Sequence, residues 1–112
     1  MLGMMVRVLG FEEVKRKLKS TTDEKKMERM LERAAIEINN EAKILCPVRT
    51  GNLRASITYV HLDKFVWAVG TNVHYAPYVE FGTYRMRAQP YLRPAFEKVA
   101  QKLKIAGKVM LG

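Results

Sequence analysis

The chain is poor in cysteine, in long apolar runs, in histidine and, over its second half, in acidic residues. Each shortage excludes something. One cysteine, Cys46, in 112 residues cannot close an intrachain disulfide, so no disulfide scaffold is encoded and a reducing compartment is expected. No apolar stretch approaches the roughly 18 residues that span a bilayer, and MLGMMVRVLG is too short and wrongly flanked for a secretory signal. Folding in a cytoplasm, with no membrane partner, is the expectation. His61 and His74 are the only histidines, and they lack the local spacings that make a zinc site readable. Gly70 and Gly82 form neither a GxGxxG nor a GxxxxGK[ST] loop, so neither standard phosphate cradle is present.

What remains is an ordinary globular composition, 48% hydrophobic and 28% charged, in a length that suits one domain. The extreme feature is a net charge of +9. Residues 1–63 carry twelve basic against nine acidic side chains, and residues 64–112 carry eight against two. Such an excess favours a polyanionic neighbour, DNA included, but speaks to association and not to fold.

Periodicity sets the expected layout. Residues 1–20 read as a short strand, from Val6 and Val8, followed by a helix with Phe11, Val14 and Leu18 on one side. A capping-box pattern, Thr21 to Glu24, opens a long helix over 21–46. Met27, Met30, Leu31, Ala34, Ala35, Ile38, Ala42 and Leu45 share its apolar face, and Pro47 stops it. Turn chemistry follows, with Gly51 free to take a positive φ. Residues 53–71 read as a β-hairpin: Ile57, Tyr59 and His61 alternate in one strand, Phe65, Trp67 and Val69 in the other. A basic loop at 83–90 precedes a C-terminal helix over 92–105, with Leu92, Ala95, Phe96, Val99, Ala100 and Leu103 on one face, and 106–112 reads as a frayed tail. The expected class is α+β, a small antiparallel sheet packed against the long helix and the C-terminal helix.

No catalytic set emerges from the candidates. Cys46 sits at the end of a helix, where a thiolate gains nothing, and reads as a packed, inert thiol. His61, His74 and Glu80 make a metal set only by imagination. Glu80, among aromatics, is better suited to capping a turn or pairing an arginine than to acting as a base. Arg85 and Arg87, beside Tyr84 and Tyr91, suit phosphate contacts and base stacking, and equally suit a solvated loop. Tyr75, Tyr78 and Phe81 suit a core edge or a subunit interface.

Three blocks, 46-CPVRTGNLRASI-57, 69-VGTNVHYAPYVEFGT-83 and 89-QPYLRPAFEK-98, taken together resemble the small tail-component, or neck, proteins of tailed bacteriophages and prophages. The resemblance rests on P-x-x-T-G-x-L-x-x-S, carried by Pro47, Thr50, Gly51, Leu53 and Ser56, on V-G-T-N then Y-A-x-Y-V-E-F-G-T, and on Q-P-Y-L-x-P-A. It implies a non-enzymatic, cofactor-free virion protein. The expected partners are copies of itself in a ring and the connector, head-closure and tail proteins, first in the host cytoplasm and then in the particle. Thr50, Gly51, Gly70, Tyr75, Tyr78, Glu80, Phe81, Gly82, Arg85 and Arg87 are the candidate interface or structural residues, Arg85 and Arg87 from the basic loop and not from these motifs. Glu80 is expected to hold an arginine or a set of backbone N–H groups, in its own or the next subunit.

Overall fold

A computed structural model describes residues 4–9, 21–47, 51–103 and 106–111. In chain order these form β1 (Met4–Leu9), α1 (Thr21–Leu45), α2 (Gly51–Ser56), β2 (Thr58–Asp63), β3 (Val66–Thr71), α3 (Ala76–Phe81), α4 (Leu92–Leu103) and β4 (Ala106–Leu111). The expected first helix over residues 11–20 lies outside the described residues.

The class is α+β, as the periodicity implies. Four strands form one sheet in the order β2-β3-β1-β4, every junction antiparallel. β1 is therefore central, pairing Val6 with Val69 on one side and Val109 on the other. Its period-2 pattern shows in burial: Met4, Val6 and Val8 are fully buried while Arg7 is exposed.

α1 forms because 25 residues of mostly strong helix formers run without proline or glycine. Met27, Leu31, Ala34, Ala35, Ile38 and Ala42 are buried along one stripe, and burying each of the larger ones contributes about 1.5–3 kcal/mol. The helix stops where Pro47 disfavours the α conformation of the residue before it, the last turn closing from Cys46 N–H to the Ala42 carbonyl at 2.8 Å. Leu45, expected on the apolar face, is exposed, because the buried row continues through Ile38, Ala42 and Cys46 and Leu45 lies beside it. α4 lies along α1, buries Leu92, Ala95 and Val99, and ties to it through Lys98–Glu41 and Lys102–Glu37 ion pairs.

Three local expectations are corrected. Residues 51–56 are helical, so the hairpin is only β2 and β3, and Gly51 begins α2 without a positive φ. Ile57 is buried at the junction and does not alternate with the exposed Tyr59 and His61. Residues 106–111, expected as a tail, form β4 on the outer side of β1.

Candidate functional site

The end of the molecule opposite the β2–β3 turn is built from the three sequence blocks. In the first, Leu53 enters the core and Arg54 donates to the Cys46 carbonyl at 3.4 Å, closing the corner between α1 and α2. Ser56 Oγ donates to the Leu53 carbonyl at 2.7 Å and meets Thr71 Oγ1 at 2.5 Å, while Thr71 Oγ1 accepts from Val73 N–H at 3.1 Å. The conjunction of Leu53 and Ser56 with Thr71 is thus a latch between the first block and the second. Thr50 lies outside the described residues.

Within the second block Gly70 is in β3, pressed against β1. A Cβ there would collide with the Met4 carbonyl oxygen and lie 2.7 Å from Met5 Cα. The stretch after it that carries Tyr78 and Phe81 is the helix α3, with Pro77 in its first turn, where a missing N–H costs nothing. Gly82 ends the helix at φ 77°, and a Cβ would lie 2.6 Å from Ala88 N, because residues 83–90 fold back over it.

That loop is tied down by its own hydrogen bonds. Thr83 and Met86 exchange backbone hydrogen bonds at 2.8 and 3.2 Å, and Thr83 Oγ1 accepts from Arg85 and Met86 N–H. Gln89 N–H donates to the Val79 carbonyl at 2.8 Å, returning the chain to α3.

Glu80 is only 3% exposed and faces the start of α4. Its Oε1 accepts from Tyr91 N–H at 3.2 Å and Leu92 N–H at 2.8 Å, and Oε2 accepts from Arg93 N–H at 3.3 Å. A carboxylate from a distant helix therefore supplies the N-terminal cap that α4 lacks locally, where the dipole favours negative charge. Of its two expected partners, the backbone N–H set is the one observed, within the same chain.

The side chains divide into buried and displayed sets. Tyr91, expected among the stacking surfaces, is fully buried; its phenol donates toward the Ala76 carbonyl at 3.5 Å, and burial, then Glu80, pushes its pKa well up. Burial also raises the Cys46 thiol, with Arg54 opposing, so the thiol stays protonated. His61 stacks on Trp67 at 4.4 Å, on the sheet and away from Glu80, and no metal-holding cluster of His, Cys, Asp or Glu exists among the described residues. Displayed are Tyr78 at 56% exposure and Tyr84 at 90%, with Phe81, Ile44 and Leu45 also open to solvent. Arg85 lies 5.2 Å from the centre of the Tyr84 ring, Arg93 lies 5.8 Å from that of Phe81, and Arg87 is exposed. Between α3 and the loop is an apolar groove of about 380 Å³ lined by Pro47, Leu53, Tyr75, Tyr78, Val79, Thr83, Met86 and Gln89. Tyr75 and Tyr78 thus meet in one groove, whereas Gly70 packs against β1 and Glu80 caps α4. Leu53, Val79 and Met86 were missed as lining residues; an apolar residue next to turn chemistry was their only signal.

A protein-family model described as "Bacteriophage HK97-gp10, putative tail-component" matches residues 11–82, well over half of the chain. The chain belongs to the HK97-gp10-like family of phage tail components. The first block and all of the second but its last residue, Thr83, fall inside the matched span, and the third follows it, joined to α3 by Glu80 and Gln89. No curated protein and no solved structure matches the sequence. In this family member the groove and its aromatic rim are the chief displayed features of the end where the blocks meet, and no described helix is long and apolar enough to cross a membrane.

Proposed function

We propose that the protein is a structural subunit of a tailed-phage or prophage virion that acts in head–tail joining or tail completion, assembling as a ring with copies of itself. It works through protein–protein contacts with connector, head-closure and tail proteins, in the host cytoplasm during assembly and then in the neck or tail of the particle. The observation that carries this reading is the apolar groove with the exposed Tyr78 on its wall, on a chain that also exposes Phe81, Tyr84, Ile44 and Leu45. Exposed aromatic and apolar surface beside an open apolar groove suits a protein interface. A non-enzymatic role accords with the state of the chemically capable side chains, since both Glu80 oxygens are occupied by backbone N–H groups and Cys46 is held neutral.

Native mass spectrometry and electron microscopy of the protein mixed with purified connector and tail proteins test the reading. Incorporation as a ring is expected; failure to join any connector, tail or virion complex refutes it.

A second reading, a basic nucleic-acid-binding module, draws on the display of Arg85 and Arg87 beside Tyr84. It requires affinity for DNA that falls steeply with salt and drops when both arginines become alanine. Binding unaltered in that double variant removes it.

A further inference from the structure

We propose that the outer edge of β2 is a strand-pairing site for a second copy of this chain, which presents the outer edge of its β4. The inference rests on self-assembly as proposed above and says where the copies join. β2 and β4 are the two margins of the sheet, and among the described residues neither outer edge is paired with a strand. Unpaired margins carry rows of free N–H and C=O groups, which proteins ordinarily blunt with proline, lysine or bulges.

On β2 that protection is missing where it would count. Residues 58–61 hold no lysine, arginine or carboxylate, and Thr58, Tyr59 and Val60 are β-branched or aromatic types that favour strands. The one irregularity falls between His61 and Asp63, toward the turn, so residues 58–61 keep regular pairing with β3 and a regular edge outward. All six β2 residues are exposed, and an arriving strand would find apolar neighbours on both faces. Tyr59 and His61 lie with the Trp67 ring on one face, Tyr59 at 38% exposure, and Val60 lies on the other.

The topology supplies the occupant. With four strands and antiparallel junctions throughout, β2 and β4 run in opposite directions. A second copy in the same orientation therefore brings its β4 antiparallel to β2, and the eight strands continue one alternating sheet. That contact joins two different surfaces, so each added copy leaves the same two margins open and the series closes only as a ring. Pairing of β2 with β2 about a two-fold axis would instead stop at two copies.

The test uses the full chain with Cys46→Ala and single cysteines introduced at positions 58–61 in one population and 107–110 in another. Oxidation of the mixture should give disulfide-linked pairs between the two populations, and a chain carrying one cysteine in each strand should give a ladder beyond the dimer. Val60→Lys should cut the ladder about tenfold while leaving the thermal midpoint unchanged, because the residue is half-exposed on an edge. Links formed only between β2 and β2, or a ladder indifferent to Val60→Lys, overturn the proposal. The same pairs are then oxidised in tails purified from the phage: copies present in those tails without β2–β4 links overturn the edge assignment and leave the virion role standing. Absence of the protein from tails, with no oligomer in solution, overturns both.

Discussion

Replacing Glu80 with alanine should be the most damaging single change at the block junction, out of proportion to an ordinary glutamate. The carboxylate receives three backbone N–H groups at 2.8–3.3 Å. Tyr91 and Leu92, which supply two of them, are fully buried, whereas Arg93 is exposed and water can replace its bond. Each buried N–H left without a partner costs about 1–3 kcal/mol, and the lost charge at the helix N-terminus adds up to about 1 kcal/mol. Partial entry of water offsets some of this, so a net loss of about 2–4 kcal/mol is expected, a large share of the roughly 5–15 kcal/mol of a domain. At about 4 °C per kcal/mol the thermal midpoint should fall by about 8–16 °C. Glu80→Gln keeps one carbonyl acceptor and the side-chain volume, and should cost about half as much. Urea unfolding gives the energies, and amide exchange at residues 91–93 gives the location. A Glu80→Ala loss below about 0.5 kcal/mol, or unchanged protection at 91–93, would refute the capping argument.

Other consequences are as direct. Gly82→Ala must place a Cβ at φ 77° and 2.6 Å from Ala88 N, and should cost about 1–3 kcal/mol in the urea midpoint, with the loop displaced. Gly70→Ala meets the Met4 carbonyl oxygen in the central strand β1, a closer collision and with a more firmly held partner than the surface loop that Gly82→Ala meets, so its loss should exceed that of Gly82→Ala. In alkali, the folded state holds the Cys46 and Tyr91 protons more tightly than the unfolded chain. Stability is therefore full below the unfolded pKa values, about 8.5 for the thiol and about 10 for the phenol, and is lost as pH rises from there through the raised folded values. Urea midpoints taken upward from neutral pH should show that decline, and Tyr91→Phe should flatten its upper part. Tyr78→Ser with Phe81→Ser, both on the exposed side of α3, should alter stability by less than about 1 kcal/mol yet abolish incorporation into tail assemblies.

What the residues disclosed in advance depended on whether the cause was local. α1 was legible because a 3.6-residue stripe over 25 residues has no rival reading, and its end was legible because Pro47 acts on its own neighbour. Residues 51–56 were not, since six residues hold too little periodicity and Leu53, Ile57, Tyr59 and His61 mimic a strand; tertiary ties at Cys46 and Thr71 decide for helix. β4 was hidden for a similar reason. Its glycine and lysine are poor strand formers, and it is extended because β1 offers an edge at the other end of the sequence, pairing from Met4↔Leu111 to Leu9↔Ala106. At the site, the need for Glu80 to have a partner was readable from chemistry, but that the partners begin at Tyr91 depends on a fold-back pinned at Gly82 and Gln89.

Those pins bear on function through entropy. An interface built from loose loops must order each displayed side chain on binding, at about 0.5–1.5 kcal/mol apiece. Here Tyr84 is displayed on a turn closed by Thr83 and Met86, and the turn's far end is held by Gln89 and by the Glu80 cap. The backbone share of that ordering is already present in the free subunit. Glu80→Gln should therefore weaken assembly even at temperatures where the variant remains folded, because the cap fixes the frame that carries the aromatic rim. Incorporation of folded Glu80→Gln protein at the wild-type level would show that the rim is ordered by its partner and not by its own chain.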